Sequence, residues 1–199
     1  MRPLPPLLAL FLPALVGLLL LPHAASAQGS LSIGPESRLW VEGTSTRSDW
    51  TVQAKSVEGG VTLADAGSGS SVSGVQLNVD AAEIVSEKSS IMDRLIRGAL
   101  KVEEHPTISY ELVDATPADA EGDGFALQTS GRLTLAGVTN SVEMLVQGVD
   151  LGGGTFRYTG STPLKMTDFD MTPPTAMFGA LRTADDVTVH FEIIATPAD

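Results

Sequence analysis

SSIMDRLIRGALKVEEHPTISYELV, residues 89–113, sets two periodicities side by side, and GRLTLAGVTNSVEMLV, residues 131–146, extends the second of them. Ile91, Met92, Leu95, Ile96, Ala99 and Leu100 fall at helical spacing with Arg94 and Arg97 between them. Ser90 and Asp93 stand where a capping pair opens a helix. Beyond His105-Pro106, where His105 shapes the turn, the spacing drops to two. Ile108, Tyr110 and Leu112 alternate with Thr107, Ser109 and Glu111, as in a strand with one buried face. Leu133 and Leu135, then Val142, Met144 and Val146, form a pair joined through Gly137 to Asn140.

The same alternation spreads outward in both directions. Trp50, Val52 and Ala54 alternate with Thr51, Gln53 and Lys55, and Val75, Leu77 and Val79 with Gln76, Asn78 and Asp80. Val187, Val189, Phe191 and Ile193 make the last and clearest strand. The breaks between runs are short and polar: Gly67 to Ser71, Asp119 to Gly124, Gly152 to Gly154. Regular strands with such breaks indicate one antiparallel sandwich or barrel, with no sharp boundary for a second domain. In an all-β chain the apolar stripe of the helix needs a partner, and the mouth of a barrel supplies it. Two readings of that helix stay open: it plugs one end of a core, or it also lines a ligand cavity.

A second irregular segment, Met166 to Gly179, is too rich in proline for a regular strand, yet it holds Met166, Phe169, Met171, Met177 and Phe178. The expectation is that it folds back over the apolar interior, with Pro173 and Pro174 lowering the entropy lost on ordering. Adaptable methionines beside phenylalanine suit a flexible apolar guest as well as plain core filling.

Residues 1–27 read as a secretory leader: one cation at Arg2, an apolar run from Leu4 to Leu21, and Ala25-Ser26-Ala27 before the cut. The competing reading is a retained anchor, since the uncharged stretch is near bilayer length; Pro13 and the Ala-x-Ala ending favour cleavage. The remaining domain, 28–199, is then periplasmic or secreted. It is long enough to fold without staples, and it has no cysteine, so disulfides, thiolate metal sites and N-terminal lipidation are excluded. With Arg2 gone, 24 acidic residues face 11 basic ones, about −13 with histidine neutral. That charge argues against nucleic acid and against tight docking on anionic membranes.

Chemistry is sparse. His105 and His190 lie near no other metal-type ligand at a usable spacing, a pairing of His105 with Glu103 or Glu104 as an acid-base couple stays open, and no G-x-S-x-G elbow, Ser-Lys pair or phosphate loop is present. Asp168 and Asp170 flank Phe169 and alternate outward as easily as they converge.

Leu100 at the helix end, Pro106-Thr107-Ile108-Ser109-Tyr110 and Gly131-Arg132-Leu133-Thr134-Leu135-Ala136-Gly137-Val138-Thr139 resemble the recurrent features of the YceI-like family of exported lipid-binding proteins. The resemblance covers essentially all of residues 38–193. It implies an all-β fold, an antiparallel, lipocalin-like eight-stranded β-barrel with one short amphipathic helix, holding a polyisoprenoid, a quinone-like lipid or another amphiphilic tail. No other cofactor, no metal, and no membrane insertion after leader removal are expected; a homodimer is an open option. On this reading the channel is lined by Trp50, Met92, Leu95, Ile96, Leu100, Met166, Phe169, Met177 and Phe178. The stretch Gly43 to Trp50 and the Met92-Asp93-Arg94 step depart from the better-known branch, so headgroup contacts are not implied. Two alternatives stand beside it: a filled barrel acting as an interaction or stress-response module, and an enzyme on an apolar substrate using Asp168.

Overall fold

The computed structural model describes residues 28–86 and 90–198; the leader expected over 1–27, and residues 87–89, lie outside them. In chain order the elements are β1 (Gly29–Ile33), β2 (Arg38–Ser45), β3 (Trp50–Ala54), β4 (Glu58–Leu63), β5 (Val72–Asp80), β6 (Ile84–Val85), α1 (Ser90–Ala99), β7 (Thr107–Ala118), β8 (Phe125–Leu135), β9 (Val138–Gly152), β10 (Thr155–Lys165), β11 (Thr175–Ala176) and β12 (Leu181–Pro197).

These segments form eight antiparallel staves. β12 pairs with β1 through Ala195–Pro197 and with β2 through Thr183–Glu192, so β1 and β2 are halves of one stave bent at Gly34–Ser37. The bend is fixed by the Gly34 N–H donating to the Ile194 carbonyl at 2.7 Å. β3 with β4, and β5 with β6, are bent staves of the same kind, paired in turn with β2 and β1, then with β3 and β4. β5, β7, β8, β9, β10 and β12 follow as neighbours, and the β12–β1 pair closes the circle. Closure satisfies the ladder hydrogen bonds that open sheet edges leave exposed.

The alternating residues point inward as their spacing requires. Val79, Val142, Val146 and Ile193 are buried, while Asp80, Glu143 and Ser141 face out. One end of the barrel is packed solid around Leu63, Leu31, Val61, Phe156 and Tyr158. The Asp65–Ser71 turn covers that end: the Tyr158 hydroxyl donates to the Gly69 carbonyl at 2.9 Å. A Cβ on Gly69 would come within 2.4 Å of the Phe156 ring, so only glycine lets the turn settle there.

At the opposite end α1 lies beside β6. Its C-terminus is a Schellman cap with Lys101 left-handed at φ +52: Val102 N–H donates to the Arg97 carbonyl and Lys101 N–H to that of Gly98, each at 3.2 Å. The chain then turns through His105 into β7. The β8–β9 hairpin reverses at Ala136-Gly137, with φ of +49 and +83, the two-residue turn whose twist suits adjacent strands. A Cβ on Gly137 would meet the His105 ring at 2.4 Å. Gly137→Ala is therefore expected to lose about 1–3 kcal/mol of stability, measured as a shift of the urea midpoint at unchanged slope.

Candidate functional site

Inside the barrel lie two cavities of about 130 Å³ each. The upper one sits beneath α1 and is walled by Met92, Ile96, Ala99 and Leu100 of the helix segment, by stave residues such as Trp50, Ile108 and Leu135, and by Met166, Phe169, Met171 and Pro174. The lower one runs toward the packed end between Val75, Leu77, Tyr110, Leu127, Met144 and Phe191. Leu39, Leu133 and Val189 border both, so the two spaces meet end to end at a waist formed by three staves.

Native cores leave few voids larger than one water molecule. Each of these spaces has room for about ten, at roughly 10–15 Å³ per water. Their walls are nevertheless almost wholly hydrocarbon, and water there would lack the two to four polar partners it needs. Some of the inward groups that carry oxygen are tied into the wall, while the buried Thr183 hydroxyl, on the border of the upper cavity, has no partner among the described residues. The Thr129 hydroxyl donates to the Met144 carbonyl at 3.0 Å, and Tyr158 is held by Gly69. Burial pushes the Tyr110 phenol above its ordinary pKa, partly offset by its hydrogen bond with Thr129, and burial alone pushes that of Tyr158 up. Both stay protonated and neutral. The interior thus offers mainly dispersion contacts; Lys165, which borders the upper cavity, has its ammonium engaged with Asp186 at 2.7 Å.

The helix explains why the upper cavity stays open. Not one residue of α1 is fully buried, because its inner face rests on space rather than on packed side chains. It is anchored at its edges: Asp93 Oδ1 accepts from the Ser86 N–H at 2.6 Å, and Arg97 Nε donates to the Ala82 carbonyl at 3.2 Å. Opposite, Trp50 lies across Gly43, where a Cβ would fall within 2.2 Å of the indole, and its Nε1 donates to the Thr44 carbonyl at 3.1 Å. One ring edge is therefore fixed while the rest borders the cavity.

Of the nine side chains expected from the sequence to line a channel, Trp50, Met92, Ile96, Leu100, Met166 and Phe169 border the upper cavity. Leu95 does not: it stands on the flank of the helical stripe, half-buried, turned away from the inward row of Met92, Ile96 and Ala99. Phe178 is a correction. It is 113% exposed, because a left-handed residue at φ +53, followed by Gly179 at φ +88, turns the chain sharply and throws the ring outward. The proline-rich segment does fold back through Met171 and Pro174, but its tip does not. The side chain of Met177 lies outside the description. The waist residues Leu39 and Val189, and the lower wall of Tyr110, Leu127 and Met144, were missed; alternation marks most of them as inward but carries no sign of which inward residues face space.

Among the described residues no three His, Asp or Glu side chains converge on a metal position. His190 is on the outer wall, stacked on Trp40 at 5.1 Å with Nε2 3.4 Å from a Glu42 carboxylate oxygen. Asp168 is exposed and borders an outer groove rather than the interior.

An up-and-down antiparallel barrel, packed at one end and hollow beneath a helix at the other, defines a small calyx of the kind that encloses apolar molecules. The sequence matches the YceI-like domain over residues 34–195, and the chain belongs to that family. Among solved structures it is similar to Burkholderia cenocepacia BcnA, at 17% identity and TM-score 0.65 over 81% of this chain and 97% of that one. It is also similar to a polyisoprenoid binding domain from Saccharophagus degradans, at 16% identity and TM-score 0.64 over 86% and 100% of the two chains. A third is a Campylobacter jejuni YCEI protein, at 16% identity and TM-score 0.59 over 74% and 85%. At such identities the likeness shows the fold. No curated protein sequence matches the chain.

Proposed function

We propose that this protein is an exported carrier that holds a long apolar lipid, of isoprenoid or quinone-like type, in the two joined cavities, with residues 28–199 as the carrier domain and residues 1–27 as its leader. The observation that carries the reading is the pair of dry, hydrocarbon-walled spaces meeting at Leu39, Leu133 and Val189. A filled barrel would have no reason to leave them. The polyisoprenoid-binding neighbour supports the ligand class, and almost wholly hydrocarbon walls suit the binding of an apolar chain.

The energetics suit a carrier. Burying hydrocarbon from water yields roughly 0.8 kcal/mol per methylene, but a lipid leaving a bilayer exchanges one apolar surrounding for another. Uptake and release are then nearly balanced, and the barrel protects its cargo from water in between.

Trp50 is the built-in reporter. Delipidated protein titrated with geranylgeraniol is expected to show saturable, one-to-one change in tryptophan emission, and Trp50→Phe to abolish the change while binding persists by calorimetry. No saturable binding by either method would remove the carrier reading.

A further inference from the structure

The ladder between β9 and β10 runs from Gly152 and Thr155 to Val146 and Gly160, and stops there. Both strands continue: β9 stays paired with β8 back to Val138, and β10 with β12 on to Lys165. Past Gly160 the backbone ladder is not resumed: the Thr162 hydroxyl reaches the Glu143 carbonyl at 3.5 Å, and Pro163 in the same stretch has no N–H to rebuild a ladder. The seam is filled from the helix end by the turn Met166–Phe169, whose Phe169 ring is buried. Asn140 Nδ2 ties that turn to β9 by donating to the Asp168 carbonyl at 2.6 Å.

Outside the seam lies a groove of about 750 Å³, bordered by Ser141, Glu143, Lys165, Asp168 and Asp186 among others. Leu164, Lys165 and Phe169 border both this groove and the upper cavity, and Thr162 borders the groove and the lower cavity. One layer of side chains therefore separates a polar surface pocket from the apolar channel. The one cation among the described residues that border the groove is already matched: Lys165 Nζ sits 2.7 Å from Asp186, and Asp185 and Asp168 add to the attraction that raises its pKa. With Glu143 and Asp168 beside it, the groove is acidic on balance. It offers hydrogen bonds from amide, hydroxyl and ammonium groups, but no spare positive charge.

We propose that this groove is the headgroup site of the carried lipid, that it takes an uncharged, hydroxyl- or carbonyl-bearing headgroup and rejects a phosphate-bearing one, and that the chain enters the channel between β9 and β10 past Phe169. This rests on the carrier reading above. Repulsion of a phosphate by the unpaired carboxylates is the source of selectivity, since hydrocarbon contacts are the same for either lipid.

The test is a calorimetric comparison of geranylgeraniol with geranylgeranyl diphosphate on the delipidated full-length domain. The alcohol is expected to bind at least tenfold more tightly. Glu143→Lys with Asp168→Lys is expected to move that ratio at least tenfold toward the diphosphate. The same charge change at the packed end, Glu121→Lys with Asp123→Lys, is expected to leave the ratio in place. Equal affinities in the unaltered protein, or equal shifts in both double variants, would overturn the groove assignment while the carrier reading stands. Binding of neither lipid would remove the carrier reading, and the groove assignment with it.

Discussion

Leu133→Trp is expected to yield a folded barrel that still binds farnesol but gains nothing from a longer chain. Leu133 borders both cavities, so an indole at the waist closes the lower space and leaves the upper one open. In the unaltered protein each additional isoprene unit drawn from water into the channel is worth up to about 4 kcal/mol before ordering costs. Affinity for monomeric prenols should therefore climb with length until the lower cavity is full. In the variant the climb should stop once the upper cavity is full, and a long prenol should bind at least a hundredfold more weakly than to the unaltered protein. The larger ring costs little stability, since the overpacking penalty of about 1–3 kcal/mol is relieved by the space beside it. Calorimetry across a prenol series reads the effect directly; parallel length dependence in the two proteins would mean the cavities are not one channel.

The second large effect is on stability and depends on which side of the barrel is solid. Leu63 is 0% exposed in the packed end, surrounded on all sides, and Leu63→Ala should cost about 2–5 kcal/mol, the range for truncating a well-packed leucine. Leu133→Ala removes the same atoms from a wall that already faces space. Part of its dispersion contact is missing in the native state, so its cost should stay below about 2 kcal/mol. Urea unfolding of the two variants gives the comparison. Equal losses would indicate that the interior is as tightly packed at the waist as at the closed end.

The alternation at Trp50–Ala54, Val75–Val79, Ile108–Leu112, Val142–Val146 and Val187–Ile193 was legible because each strand faces the interior on one side and water on the other. The helix over Ser90–Ala99 was legible for the same reason at its own period. β1, β4 and β10 were not. Gly29–Ile33 and Glu58–Leu63 are half-staves too short to show a period, and their pairing depends on the bends at Gly34–Ser37 and between β3 and β4. β10 carries Gly160 and Pro163, which read as breakers. In the fold Pro163 sits where β10 has already left β9, so its missing N–H costs no ladder bond there. The candidate site was half legible. Large apolar residues on the helix and at Met166 and Phe169 pointed to the upper cavity. Phe178 misled because composition records that a ring is apolar and not that a left-handed turn holds it in water. The waist was invisible because Leu39, Leu133 and Val189 come from three distant strands, and only closure brings them together.

Whether the barrel carries a lipid is read most directly by mass spectrometry of an organic extract. The protein would be expressed with residues 1–27 in a Gram-negative host, purified without detergent, and compared with a mock purification. An isoprenoid or quinone-like lipid is expected at close to one per chain, lost from a variant carrying Ile96→Asp in the cavity wall. A clean extract from well-folded protein would contradict that expectation.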